Sequence, residues 1–201
     1  MKKALLFVVI LFVSLVESVA QHNSDVRKSV ESNEYNIYKV VLKELFIKPD
    51  TKQLVIHKFT SGEFIGEQQS SQFQLLDREN IPVESETIEN YNTLNKESVK
   101  LKYDFGTSTK VNLVTDAELR TILETFKADE SGKAYTDALM KKYETTTIIR
   151  FSRVGFNKSK NQALLHVGYT CGFVCGQGRY IILSKKNDGW IIKRTVMSWV
   201  S

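Results

Sequence analysis

Two cysteines, two prolines and three histidines are all that this chain of 201 residues contains of the types most used to staple, break and ligate. Two cysteines exclude a multi-disulfide scaffold and a four-cysteine zinc site. Pro49 and Pro82 stand alone, and no Pro/Gly/Ser-rich stretch marks a linker between parts. The histidines, His22, His57 and His166, are far from the close spacing of a zinc motif. No metal or cofactor is therefore expected. Missing too are a Gly-x-Ser-x-Gly elbow, a P-loop, a dinucleotide glycine fingerprint and a His-Glu-x-x-His pair. The glycines at 172, 176 and 178 do not make a phosphate loop, because strand-forming residues rather than a helix start follow them. The net charge of +5 and pI near 9.1 are basic, but no run of five like charges occurs, so a nucleic-acid partner is not expected.

The chain opens Met-Lys-Lys, runs apolar from Ala4 to Val16 apart from Ser14, and reads Glu17-Ser18-Val19-Ala20-Gln21. This is the layout of a secretory signal peptide, with cleavage after Ala20. The apolar stretch is shorter than the roughly 20 residues a membrane-spanning helix needs, and no cysteine follows it to carry a lipid. The expectation is residues 1–20 as signal peptide, 21–32 as a flexible leader, and 33–201 as a single α+β domain, exported to the periplasm or beyond the cell. No stable membrane anchor remains after cleavage.

Tyr38, Val41, Leu42 and Leu45 recur at helical spacing, with Ser32 or Asn33 to cap and Pro49 beyond, which predicts a helix over 33–46. Residues 53–60 predict a strand, and Ile88, Tyr91 and Leu94 allow a short helix. Val99, Leu101, Tyr103 and Phe105 alternate with polar residues as in a half-buried strand. Residues 111–114 predict another strand, leading into Thr115 and Glu118 as a capping box, with Leu119, Ile122, Leu123 and Phe126 as the apolar face of its helix. A third helix is expected over 133–143. From Thr145 four β-rich runs follow with short breaks, and short connections make neighbours antiparallel. The expected fold is α+β: a C-terminal four-stranded antiparallel meander, its two tryptophans filling a core under two or three helices from the N-terminal half.

Candidate sites are few. Cys171 and Cys175 lie in a Cys-x-x-x-Cys between two predicted strands. In an oxidising compartment a structural disulfide closing the hairpin is favoured, against a redox-active pair or free thiols. A thioredoxin-like mechanism needs a helix N-terminus behind the pair, and none is predicted. Arg150 and Ser152 fall on one face of their strand and Arg153 on the other. Arg153 could hold an anion through its fork, or cover the sheet with its stem. His57 reads as a hydrogen-bonded core residue. His166 stands opposite Ala163, Leu165, Val167 and Tyr169, facing solvent or a groove, and is a possible ligand contact with Arg153.

The runs SRVGFN (152–157), QALLHVGYTCGFVCGQGRYIIL and KKNDGWIIKRTVMSWVS together resemble the C-terminal half of a group of uncharacterised exported bacterial proteins. The familiar pattern reads SRVGFN, CGGLCG, G-x-W and V-M-x-W, and this chain departs from it at Phe173 and Val174. The resemblance covers about 55 residues well, extends weakly to TLNKES and VNLVTDAEL, and implies an exported single domain with a glycine-cysteine hairpin. The expected function is a non-catalytic module that binds a protein or small-molecule ligand. The alternatives are an enzyme, through a thiol-disulfide pair (Cys171, Cys175) or a pocket near Arg153 and His166, and a structural part of an envelope assembly.

Overall fold

A computed structural model describes residues 30–62, 65, 83–125, 132–172 and 175–201. The expected signal peptide, most of the leader, Phe126, the 66–82 stretch, Phe173 and Val174 lie outside the described residues. Helix α1 spans Ser32–Val41 and runs on into a π turn, Leu42–Phe46, together matching the expected helix. Its cap is Glu31 rather than Ser32 or Asn33: the Glu31 N–H donates to Glu34 Oε1 at 3.0 Å. Helix α2 is Ser85–Leu94, α3 is Asp116–Thr125 and α4 is Lys133–Tyr143.

Strands β1 (Gln53–His57), β2 (Lys110–Val114), β3 (Thr147–Phe151), β4 (Gly155–Phe156), β5 (Gln162–Cys171), β6 (Gly176–Lys186) and β7 (Gly189–Val200) form one sheet. Its order is β2-β1-β3-β5-β6-β7, with β4 also pairing β5. The expected meander is there as β3-β5-β6-β7, antiparallel throughout. It is not the whole sheet: β1 joins β3 in parallel, and β2 joins β1 in parallel. The chain between β1 and β2, and the α3–α4 pair between β2 and β3, are long enough for such crossovers.

Because the sheet is mixed, it is covered on both faces, where the sequence predicted helices on one. On the first face α1 sets Ile37, Tyr38, Val41 and Leu42 on Ile56, Ile149, Phe151, Leu165 and Ile181. Each aliphatic side chain fully buried here contributes roughly 1.5–3 kcal/mol. On the second face α2 places Tyr91 over Leu164, Tyr180 and Ile182, while α3 and α4 cover Val55, Val114 and Ile148. Burial on both faces explains the continuous runs in β1 and β5, since neither face is left to carry polar residues.

The alternating segment at 99–105 is not a strand of the sheet. Val99, Leu101 and Phe105 are buried as the alternation requires, but Tyr103 is exposed and only a bridge from Lys100 to Phe59 pairs the backbone. Here the apolar period follows a loop lying over the first face. The helix after Thr115 begins as its motif demands: the Thr115 N–H donates to Glu118 Oε2 (2.7 Å) and the Glu118 N–H to Thr115 Oγ1 (3.2 Å).

Candidate functional site

The segment Ser152–Asn157 ties the sheet to two helices. Arg153 is 1 % exposed and its guanidinium meets Glu34 of α1, with Nη2 to Oε1 at 2.6 Å and Nε to Oε2 at 2.9 Å. Glu34 Oε2 also accepts from the Val154 N–H at 2.9 Å. Burial alone would pull the Arg153 pKa down, and the Glu34 hydrogen bonds and charge more than reverse that, leaving it above its ordinary value. Asn95 accepts from the Arg153 N–H (2.7 Å) and donates to the Arg153 carbonyl (3.1 Å). Tyr38 donates its hydroxyl to the Ser152 carbonyl at 2.8 Å, and burial pushes its phenol well above the usual value, so the donor proton stays in place. At Gly155 the backbone of α2 comes so close that a Cβ would lie 2.4 Å from Tyr91 Cβ. Asn157 accepts from the Asn161 and Gln162 N–H groups and closes the turn into β5. Of the two readings left open for Arg153, the fork does hold an anion, but it is the chain's own Glu34.

Arg153 and His166 do not share a pocket. Arg153 reaches toward α1, whereas His166 lies on the α2 side of the sheet against Tyr180, with ring centroids 5.0 Å apart. It is buried at 1 % exposure, faces a cavity of about 60 Å³, and its Nε2 lies 2.8 Å from Ser198 Oγ. The neighbour across that cavity is Arg150, which donates from Nη2 to Asp116 Oδ1 at 2.5 Å. Asp116 Oδ1 also lies 3.1 Å from the buried His57 Nε2, and His57 Nδ1 lies 2.9 Å from the Phe59 carbonyl oxygen. No hydroxyl or thiol among the described residues hydrogen-bonds to His57.

Cys171 and Cys175 are at disulfide-bonding distance across the β5–β6 turn, with Cα atoms 5.1 Å apart and the Cys171 N–H donating to the Cys175 carbonyl at 2.9 Å. The pair sits between two strands, and the neighbouring Gly172 lies against the first turn of α4, where an added Cβ would be 3.2 Å from Thr136 Oγ1. The glycines nearby serve Trp199. Its indole lies on the α2 side across Gly168, Gly176 and Gly178, and a Cβ at Gly178 would come within 2.1 Å of Nε1. Trp199 remains 37 % exposed on this glycine floor, whereas Trp190, half-buried against Phe156, packs on the edge of the first-face core, so only one of the two tryptophans contributes to the core as expected.

A larger open site lies elsewhere, on the first face beyond the end of α1. A groove of about 720 Å³ runs between the π turn and the sheet. Leu54, Ile149 and Val167 form its floor, all buried, and Phe46 meets Tyr169 edge to face at 5.4 Å. Lys48, Asp50, Lys52 and Glu144 stand on the rim, where Lys52 and Glu144 pair at 3.3 Å. Arg179 enters from β6. Its Nε donates to Gln177 Oε1 at 2.8 Å, and the Gln177 amide in turn donates to the Tyr169 hydroxyl. The volume is that of a small-molecule site, with an apolar floor under a polar and charged rim.

No family model, curated protein or solved structure matches the chain. Among the described residues no group of three or more His, Cys, Asp or Glu could hold a metal ion, and no helix is long and apolar enough to cross a membrane.

Sequence reasoning passed over Arg179, although a signal was available. In Gly176–Lys186 it shares a strand face with Ile181 and Leu183, so a charge sits where the pattern calls for an apolar residue. The groove itself had no local signal, because its walls come from the π turn, β1, β3, β5, β6 and α4.

Proposed function

We propose that this chain is an exported, non-catalytic binding domain of the bacterial group its C-terminal pattern resembles, and that it takes a small ligand into the groove between the π turn and the sheet. The observation that carries the reading is that groove: open, about 720 Å³, and floored by buried apolar side chains. The residues nominated from sequence are engaged elsewhere, Arg153 with Glu34 and the cysteines with each other. The signal-peptide layout and a disulfide-distance pair support an oxidising compartment outside the cytoplasm. The π turn adds support, since such turns are rare and frequently lie at functional sites.

A neutral, environment-sensitive dye such as N-phenyl-1-naphthylamine tests this. The protein is expected to raise dye fluorescence saturably, and Thr147→Trp, which puts an indole into the groove from the start of β3, to weaken binding roughly tenfold or more while melting normally. Absence of saturable binding by the wild-type protein would refute the reading.

A further inference from the structure

Arg179 stands where the core face of the sheet loses its helix. Ile181 and Leu183, next along that face of β6, are fully buried under α1, and the cross-strand neighbours of Arg179 are buried Val167 and half-exposed Met197. A half-buried guanidinium in apolar company is costly unless an anion meets it. Among the described residues no carboxylate pairs with Arg179. Its single hydrogen-bonded partner there, Gln177, takes Nε and is itself held by Tyr169. The brace fixes the guanidinium and leaves its two terminal amino groups for a ligand.

Accepting that the groove is the binding site, we propose that its ligand is an amphipathic monocarboxylate, with the carboxylate forked on Arg179 and the apolar body laid over Phe46, Val167 and Tyr169. The fork geometry of guanidinium matches a carboxylate through two parallel hydrogen bonds. The charge inventory favours one negative charge over several: Lys52 is occupied by Glu144, Lys48 has Asp50 beside it on the rim, and a polyanion would meet both carboxylates. The apolar floor asks for a body larger than acetate.

The test displaces the neutral dye from the full-length chain with laurate or with dodecanol, each kept monomeric. Laurate is expected to compete roughly tenfold or more better than dodecanol. Arg179→Met is expected to abolish that preference while keeping dye binding, and Arg179→Lys, which keeps the charge but not the fork, to retain part of it. Equal competition by laurate and dodecanol, or an undiminished preference in a folded Arg179→Met protein, would overturn the carboxylate assignment and leave the groove standing. A wild-type chain that does not bind the dye would remove the groove, and the ligand class with it.

Discussion

At the scale of single residues, Arg153 shows how one side chain can carry two opposite expectations. On a strand near the surface an arginine is a plausible anion hook; once buried, it is a liability that the fold must answer with a partner. Glu34 is that partner, and it is committed further to the backbone N–H groups of Glu31 and Val154. Removing the cation alone strands a buried carboxylate. Arg153→Met should therefore cost about 3–5 kcal/mol in urea unfolding. Adding Glu34→Gln removes the stranded charge while keeping an acceptor for the Val154 N–H, so the double variant should recover at least about 1 kcal/mol of that loss. A single variant that unfolds within about 1 kcal/mol of wild type would free Arg153 for ligand duty after all.

At the scale of elements, the start of α3 combines a capping box with a charge cluster. Asp116 is held below the usual carboxylate range chiefly by the hydrogen bond from Arg150, with His57 adding to it, and Glu118 is lowered by the Thr115 hydroxyl and N–H. A carboxyl depressed in the folded state stabilises above its unfolded pKa, and that contribution drains away as pH falls through the folded value. Asp116→Asn should thus lower the melting temperature at pH 7, by an amount that shrinks as the pH falls through the depressed folded value. Asp116 is largely exposed, so the effect at pH 7 should stay under about 1 kcal/mol. A gap that persisted in acid would assign the effect to the cap geometry rather than to the charge. This helix start was legible because everything that makes it lies within four residues. The same locality made α1, α4 and the hairpin strands legible. The 99–105 segment misled because alternation records burial and not pairing: Val99, Leu101 and Phe105 are buried by a loop, and only Lys100 bridges to another segment.

At the scale of the whole molecule, the parallel addition of β1 and β2 was out of reach of local rules, since pairing through crossovers of dozens of residues leaves no turn to read. A trace of it remained in β5, where Ala163 to Gly168 is buried without interruption, as a strand with both faces covered must be. The groove follows from the same topology, for it opens where α1 ends over a sheet that continues. Held by helices on both faces, the sheet should not need its one disulfide. The Cys171–Cys175 link closes a loop of about five residues, worth about 2 kcal/mol on the chain-entropy estimate, against the 5–15 kcal/mol typical of a folded domain. Replacing both cysteines with serine should lower the melting temperature by roughly 4–8 °C and leave the circular dichroism spectrum unchanged. Loss of the fold on replacement would mean that the hairpin, rather than the two-faced packing of β5 and β6, holds the antiparallel half together.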